Sequence, residues 1–255
     1  MKIGIVTGAS SGLGREYVYL LDKENLDEIW LISRREKILK EISTEINTKV
    51  KIFALDLTLN DSIKIISKQL KIHKPNIKYL INSAGFGKIG KSEEISSETI
   101  SKMIDLNCKA AILMTQIAIP FMAENSHIIE ISSCSAFQPI PFLNIYASTK
   151  VFLLNYGKAL AFELKSKKIF VSVVCPYWIK NTEFIGISKQ TDVNSIIKNF
   201  PFAGDKKIIA KRSFETAKSG KLVITPDIIS TVHKIFSNLL PDFILIKLSK
   251  LFHEF

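Results

Sequence analysis

The chain lacks the residue patterns that build disulfide frameworks, metal centres and membrane spans. Its three cysteines, Cys108, Cys134 and Cys175, are far apart, odd in number and form no Cys-x-x-Cys pair, which argues against a disulfide scaffold or a zinc ribbon. The four histidines have no metal-ligand spacing, so we expect no metal site. Although 47% of the residues are hydrophobic, no apolar run reaches the length of about 18 residues that would predict a membrane-spanning helix.

Signals for export and for nucleic-acid binding are also missing. The N-terminal sequence MKIGIVTG runs directly into a strand pattern, without the apolar stretch and cleavage site of a signal peptide, and we therefore expect a cytoplasmic protein. The formal net charge of +11 comes from lysines spread along the whole chain, not from basic blocks that alternate with aromatic residues. We therefore expect no nucleic-acid partner, although an anionic ligand would benefit from the positive field.

The chain does contain a regular alternation of short apolar runs and amphipathic stretches. Such alternation is typical of βαβ units, and we predict a single α/β domain over residues 1–255, with a doubly wound sheet of about seven parallel strands and helices on both faces. The predicted strands are 2–7, 28–33, 49–55, 78–82, 127–132, 169–175 and 221–224, and the predicted helices are 12–24, 35–47, 60–73, 95–124 and 147–167.

The last third of the chain is less regular. Residues from about 183 to 220 are polar and rich in lysine, and we expect a mobile flap laid over the sheet. The segment from about 226 to 255 is amphipathic and basic, and Pro226 is expected at the first position of its helix. This segment can cover the protein's own core, dock on a partner subunit or rest on a membrane surface, and we favour the first because it is the commonest fate of an apolar stripe.

Glycine is scarce but locally concentrated. The sequence has 11 glycines, yet Gly8, Gly12 and Gly14 fall within seven positions between the first strand and the first helix. In a βαβ unit this turn brings backbone N–H groups and a helix N-terminus to one point, which favours phosphate binding. Glycine there permits the tight turn, the close approach of a pyrophosphate and close packing of helix on strand. The alternative is a glycine-lined turn without a ligand.

A second group of residues can transfer protons. Tyr146 and Lys150 are four residues apart at the start of a predicted helix and so share one face. Upstream, a predicted strand ends in Ser132, Ser133 and Ser135. A tyrosine with the usual pKa of about 10 is a poor acid–base group at neutral pH unless a cation stabilises its phenolate, and Lys150 is placed to do so. Taken singly, the tyrosine would be a core aromatic and the lysine a surface charge.

Together these residues resemble the short-chain dehydrogenase/reductase family, from Lys2 to about Thr182. The stretch TGASSGLG, residues 7–14, is similar to the family's cofactor turn, and the family's Asn-Asn-Ala-Gly motif is present as NSAG from Asn82 to Gly85. The resemblance implies a Rossmann fold and an oxidoreductase that reduces a carbonyl, or oxidises a secondary alcohol, by hydride transfer. It also implies a homodimer or homotetramer. A non-catalytic dinucleotide-binding redox sensor or scaffold is the alternative on the same fold.

The resemblance further implies a catalytic site of four residues. Tyr146 would exchange a proton with the substrate oxygen, and Lys150 would lower the pKa of the tyrosine and bind the nicotinamide ribose. Ser133, with Ser132 as the alternative, would hydrogen-bond the substrate oxygen. Asn107 would hold the helix backbone and a water that relays protons to Lys150.

The end of the second strand indicates which dinucleotide binds. It carries Ser33, Arg34 and Arg35 and no acid, and arginine accommodates a 2′-phosphate whereas an acid would accept the ribose hydroxyls of NAD. We predict NADP(H), with Arg34 as the main contact and Arg35 as the secondary one; the alternative is that both are merely solvated. Asp56 matches an adenine-contacting aspartate of the family or caps the next turn. The predicted cofactor-binding residues are Gly8, Ser10, Ser11, Gly12, Leu13, Gly14, Ser33, Arg34, Arg35, Asp56, Leu57, Asn82, Ala84, Gly85, Tyr146, Lys150, Pro176, Ile179 and Thr182.

Residues near the sixth strand predict the character of the substrate. The family's Pro-Gly pair is present as Pro176-Tyr177, and Thr182 lies one residue further along than in the family. An apolar wall, and hence a hydrophobic carbonyl or alcohol as substrate, is predicted from the residues Phe137, Pro139, Ile140, Phe142, Tyr177 and Trp178. The alternative is that these side chains pack against the flap.

Overall fold

The protein is described by a computed structural model that covers residues 1–189, 200 and 202–252. Seven parallel strands form one sheet in the order β3-β2-β1-β4-β5-β6-β9. These strands are β1 (Lys2–Thr7), β2 (Glu28–Ser33), β3 (Lys49–Ala54), β4 (Asn76–Asn82), β5 (His127–Ile131), β6 (Phe170–Val174) and β9 (Val223–Ile224). Two further strands, β7 (Ile179–Lys180) and β8 (Gly204–Asp205), pair separately. The predicted fold class and all seven predicted strands are confirmed.

Helices cover both faces of the sheet. They are α1 (Gly12–Leu21), α2 (Glu36–Thr44), α3 (Asn60–His73), α4 (Ser97–Ile104), α5 (Ala111–Ala118), α6 (Asn144–Glu163), α7 (Glu183–Lys189), α8 (Lys206–Lys218), α9 (Ile228–Leu239) and α10 (Asp242–Phe252). A π-helical segment, Asp105–Ala110, joins α4 to α5, so that the predicted helix at 95–124 is one nearly continuous rod with a widened turn in its middle. Within the described ranges, no helix is long and apolar enough to cross a membrane.

The sheet separates two apolar cores. On one face Tyr17 of α1 and Phe214 of α8 pack against the strands, and the Tyr17 hydroxyl lies 2.6 Å from Ser213 Oγ. On the other face Ile66 of α3 and Met114 of α5 cover the central strands. Because both faces are covered, the central strands are mostly apolar, which is why they are recognisable in the sequence as short apolar runs.

The expected flap at 183–220 is wrong for its second half. Helix α8 packs against α1, and its Ile209, Phe214 and Ala217 are buried in the core beneath the sheet. The lysines of this segment form the solvent side of a core helix, which accounts for its polar composition. Residues 190–199 and 201 of the expected flap lie outside the described residues.

The start of α9 also differs from the expectation. Its N-cap is Asp227, whose Oδ1 accepts a hydrogen bond from the Ser230 backbone N–H at 2.7 Å, in a capping box. Pro226 therefore precedes the cap and is not the first helical residue. Of the C-terminal segment, residues 253–255 lie outside the described residues.

Candidate active site

The glycine turn lies at the carboxyl end of β1, next to β4, where the strand order reverses and open α/β sheets bind their ligands. Gly8 has φ +66°, and a Cβ there would lie 2.9 Å from the backbone of Ala84. A Cβ on Gly14 would lie 2.3 Å from the carbonyl oxygen of Gly8, so helix α1 approaches the turn as closely as backbone allows. Gly12 instead faces open space, with Thr182 Cγ2 3.9 Å from the position of a Cβ. The turn thus leaves room for a ligand at its open side.

A cavity of about 670 Å³ extends from this turn across the carboxyl ends of the strands. Eleven of the predicted cofactor residues line it: Gly8, Ser11, Gly12, Leu13, Ala84, Gly85, Tyr146, Lys150, Pro176, Ile179 and Thr182. Ser132, Ser133 and Ser135 line the same cavity. The structure therefore brings the glycine turn and the proton-transfer residues to one space, which fits a dinucleotide beside the tyrosine.

The structure distinguishes the two serines. Ser132 is buried and its Oγ donates to the backbone carbonyl of Lys150 at 2.8 Å, so it holds helix α6 against β5. Ser133, one residue further along, lines the cavity together with Tyr146, and its Oγ accepts a hydrogen bond from the Ser135 N–H at 3.1 Å. The geometry therefore favours Ser133 for the substrate oxygen and gives Ser132 a structural role.

Lys150 and Asn107 meet behind the tyrosine. Lys150 Nζ donates to the carbonyl oxygen of Ile131 at 2.8 Å and lies 5.4 Å from the centroid of the Tyr146 ring. Asn107 is in the π-helical segment, a deformation common at functional sites, and is fully buried. Its Nδ2 donates to Phe86 O at 2.9 Å and its Oδ1 accepts from the Phe86 N–H at 3.0 Å. Asn107 thus fixes the backbone of the loop after β4, whereas the expectation is that it holds a helix backbone.

Burial dominates the protonation of this group. It raises the pKa of Tyr146 well above its usual value, while the Ser133 hydroxyl opposes the shift. Lys150 Nζ lies over the tyrosine ring, where a positive charge would stabilise a phenolate. Burial lowers the pKa of Lys150 to about 8. Tyr146 therefore carries its proton at neutral pH.

The two arginines after β2 are placed differently. Arg35 donates through Nη2 to Ser10 Oγ at 2.9 Å, and its Nη1 pairs with Glu183 of α7 at 2.7 Å. The Arg34 side chain is 74% exposed, with its Nη1 4.0 Å from Asp56. Arg35 is therefore the arginine held against the glycine turn, whereas Arg34 is the more accessible one.

Several predicted cofactor residues do not line the cavity. Ser33, Arg34, Arg35, Asp56 and Leu57 lie at the ends of β2 and β3, beyond its edge. Asp56 Oδ1 accepts from the backbone N–H and the hydroxyl of Thr58 at 3.0 and 2.8 Å, which is the capping alternative.

Three further predicted cofactor residues do not line the cavity but contact other parts of the protein: Asn82, Gly14 and Ser10. The Asn82 side chain turns away from the cavity to donate to Glu130 Oε1 at 2.8 Å. Gly14 serves helix–strand packing, and Ser10 serves Arg35.

The apolar end of the cavity differs in part from the predicted wall. Ile140, Tyr177 and Trp178 line it, but Phe137, Pro139 and Phe142 do not. Phe137 ends a 3₁₀ turn that directs its ring towards His233, at 6.4 Å between centroids, and Pro139 is exposed.

Most of the apolar lining was missed by sequence reasoning. The additional residues are Leu143, Phe184, Ile187, Phe202, Ile229, Val232, His233, Phe236 and Leu245. Four of them, on α9, recur at the i, i+3, i+4, i+7 spacing, and this stripe was the signal that could have placed them. One face of α9 therefore lines the protein's own cavity, while Ile228, Ile235 and Leu239 of the same helix are exposed.

No metal is indicated by the described ranges, where no group of three or more His, Cys, Asp or Glu could hold an ion.

The model of the short chain dehydrogenase family matches residues 2–192. The chain belongs to the short-chain dehydrogenase/reductase family. It is thus an oxidoreductase of the kind that interconverts alcohols and carbonyls, which argues against the non-catalytic alternative.

Relatives and solved structures agree with this assignment. An uncharacterized oxidoreductase of Staphylococcus epidermidis is 31% identical over 177 residues, covering 69% of this chain and 76% of the relative. The very-long-chain 3-oxoacyl-CoA reductase of Bos taurus is 34% identical over 197 residues, covering 73% of this chain and 62% of the relative. A short-chain dehydrogenase from Sphingobium yanoikuyae, solved with NADPH, superposes with a TM-score of 0.77 at 22% identity, covering 94% of both chains.

Proposed function

We propose that this oxidoreductase uses NADP(H) to reduce a hydrophobic ketone or aldehyde, or to oxidise the corresponding alcohol, with Tyr146 as the acid–base group. One observation carries the proposal. Tyr146 and Ser133 line the same cavity as the glycine turn and the large apolar side chains. A carbonyl oxygen placed between them has a hydroxyl on each side, as general acid catalysis and oxyanion stabilisation require.

Three residues of this chain have separate roles in the proposed proton transfer. Tyr146, which holds its proton at neutral pH, donates it to the carbonyl oxygen as negative charge develops there. Ser133 holds that oxygen in place by a hydrogen bond. Lys150 faces the phenolate that remains and stabilises it as a cation. A dinucleotide held by the cavity would supply the hydride from its nicotinamide.

NADP(H) is proposed from the charges at the end of β2. The site offers two guanidinium groups, Arg34 and Arg35, and the hydroxyls of Ser10 and Ser33, all suited to a 2′-phosphate. An acidic residue that would bind the ribose hydroxyls of NAD is missing from this strand end. The proposal keeps both arginines as contacts of the 2′-phosphate.

The hydrophobic substrate is proposed from the cavity lining. Trp178, Phe184 and Phe236 supply large apolar surfaces beyond the tyrosine. The name of the Bos taurus relative, a very-long-chain 3-oxoacyl-CoA reductase, fits a substrate with a carbonyl on a long apolar chain. A cytoplasmic location and a homodimeric or homotetrameric assembly stay predictions.

The proposal is tested by titrating the purified protein with NADPH and with NADH while nicotinamide fluorescence is followed. We expect NADPH to bind at least tenfold more tightly, because each 1.4 kcal/mol from the 2′-phosphate contacts is a factor of about ten. The NADPH complex should then be oxidised by long-chain aliphatic ketones and less readily by short, polar ones.

The variant Arg34→Asp is the matched test of the cofactor assignment. It should weaken NADPH binding strongly and leave NADH binding close to that of the wild-type protein. Equal loss for both cofactors would contradict a 2′-phosphate contact at Arg34. A folded wild-type protein that binds neither dinucleotide would overturn the proposed function.

A further inference from the structure

A buried acid lies behind the catalytic lysine, and no step proposed above uses it. Glu130 is fully buried in the middle of β5 and is the direct cross-strand neighbour of Asn82 in β4, so both side chains point to the same face of the sheet. Its Oε1 accepts hydrogen bonds from Asn82 Nδ2 at 2.8 Å and from Thr115 Oγ1 at 3.0 Å. A glutamate is almost never fully buried unless it is paired, so this position calls for a specific reason.

The hydrogen bonds around Glu130 suit its neutral form as well as its ionised form. In the part of the chain that the structure describes, Glu130 Oε2 and Asn82 Oδ1 are buried acceptors without a hydrogen-bond donor. A proton on Oε2 would supply the missing donor to this acid–amide pair. Burial raises the pKa of Glu130 to about 7, against the lowering effect of Asn82, Thr115 and the charge of Lys150. Both forms of the acid are therefore populated near neutral pH.

Lys150 brings a charge close to this acid, because its Nζ donates to the carbonyl oxygen of Ile131, the residue that follows Glu130, at 2.8 Å. The groups around Glu130 come from three elements: Asn82 from β4, Thr115 from α5, and Lys150 with Tyr156 from α6. Burial raises the pKa of Tyr156 to about 12, so this phenol stays neutral. Burial drives Lys150 towards its neutral form, whereas the negative charge of Glu130 favours the ammonium. The Cys108 thiol also faces Lys150, but burial raises its pKa, and it adds no charge at neutral pH.

We propose that Glu130 is a positioning residue that acts through Lys150: its carboxylate keeps the buried lysine charged up to a higher pH than burial alone would allow. The inference rests on the proposed function, because the charge of Lys150 matters for turnover only if Tyr146 transfers the proton. Glu130 and Lys150 titrate close to each other and close to neutral pH. The pair therefore titrates as a unit, and the pH range of proton transfer belongs to the pair and not to the lysine alone.

The variant Glu130→Gln separates charge from shape. The glutamine amide can keep the bond from Asn82 at Oε1 and place an N–H where the unpartnered Oε2 stood, so it mimics the neutral acid. In the cofactor-free protein, the ¹⁵Nζ resonance of Lys150, assigned by its loss in Lys150→Arg, is followed against pH. We expect its midpoint to fall by on the order of one unit in Glu130→Gln. An unchanged midpoint would overturn the proposal.

Two substitutions at Thr115 provide a second test that leaves Glu130 in place. Thr115→Val removes one donor from the carboxylate and should raise the midpoint of Glu130, seen in its ¹³Cδ resonance, and lower that of Lys150. Thr115→Ser keeps the hydroxyl and is the matched control, with both midpoints close to those of the wild-type protein. Equal shifts in the two variants would assign the effect to packing and contradict the proposal.

The pH dependence of kcat for NADPH oxidation tests the consequence for turnover. The basic limb should move to lower pH by on the order of one unit in Glu130→Gln, because Lys150 loses its proton earlier. A limb that stays in place, although the Lys150 midpoint has moved, would overturn a role in turnover. A wild-type protein that reduces no carbonyl would overturn the proposed function, whereas the resonance titration needs no cofactor and decides the coupling separately.

Discussion

At the scale of single residues, the protonated state of Tyr146 favours carbonyl reduction over alcohol oxidation. Its phenol is buried, and burial raises its pKa. A group that holds its proton at neutral pH serves as a donor to a carbonyl oxygen more readily than as a base towards an alcohol. Removing the hydroxyl alone should therefore stop proton transfer and leave the ring packing in place.

Tyr146→Phe keeps the ring that lies 5.2 Å from the ring of Phe184. We expect kcat for carbonyl reduction to fall by about 10²–10⁴-fold, the usual contribution of a general acid. The dissociation constant for NADPH should change by less than about threefold, since each 1.4 kcal/mol of lost contact is a factor of ten. Steady-state kinetics and the fluorescence titration measure both quantities. Turnover that survives in this variant would assign proton donation to another group.

The sequence predicts several of the residues that meet in the cavity, but it does not predict their protonation. The Tyr146–Lys150 spacing and the glycine turn are local patterns, and local patterns survive in a single sequence. The pKa of Tyr146 depends on how deeply α6 is buried, which is a tertiary property. The choice between Ser132 and Ser133 likewise depends on the pairing of the strand end, where the Ser132 N–H donates to Val174 O at 2.8 Å and continues the ladder.

At the scale of elements, helix α7 is tied to the cofactor turn by a single arginine. Arg35 Nη1 lies 2.7 and 2.8 Å from the two carboxylate oxygens of Glu183, the first residue of α7, and the same guanidinium donates to Ser10. A 2′-phosphate bound at Arg35 would stand close to the Glu183 carboxylate and would compete with it for the guanidinium. If the proposed NADPH contact at Arg35 is made, we expect Glu183 to weaken it.

Glu183→Gln should strengthen NADPH binding by about two- to fivefold and leave NADH binding unchanged, because exposed ion pairs are worth up to about 1 kcal/mol. The matched control is Glu36→Gln, which removes the same charge nearby from a pair with Lys40 at 2.7 Å. Fluorescence titrations of the three proteins at one ionic strength give the comparison. The same gain in Glu36→Gln would show a general charge effect and contradict competition at Arg35.

Elements with continuous apolar runs were predictable, and those with mixed composition were not. The strands β1 and β2 begin and end where the sequence places them, because burial on both faces demands apolar residues throughout. Helix α8 was mistaken for part of a flap because its apolar stripe is narrow: Ile209, Phe214 and Ala217 are separated by lysines and other polar residues. Helix α8 packs against α1, and this contact joins residues as far apart as Tyr17 and Ser213, 196 positions along the chain. No local sequence pattern predicts such a contact.

At the scale of the whole molecule, two buried titratable groups make the stability of the fold depend on pH in opposite directions. Glu130 has a pKa raised to about 7, so the stability that it contributes at low pH is lost as the pH rises through that value. His127 has a pKa lowered to about 4, by burial first and by the charge of Lys78 next. Between about pH 6.5 and 4 the unfolded chain binds a proton at this histidine that the folded chain does not, so stability falls as the pH falls.

His127 is the group to change, because its ring is stacked between the rings of Tyr79 and Phe170 at 5.4 and 5.1 Å. His127→Phe keeps an aromatic ring in that stack and removes the titration. We expect Tm to fall less between pH 8 and pH 5 in this variant than in the wild-type protein. The gap should be a few degrees, since about 1 kcal/mol moves Tm by roughly 2–4 °C in a domain of this size. Comparing the pH slopes of Tm cancels any change in packing that acts equally at both pH values. The control is His73→Phe, at an exposed histidine, and we expect it to keep the wild-type dependence of Tm on pH. If His127→Phe also keeps that dependence, the acid sensitivity comes from groups other than this buried histidine.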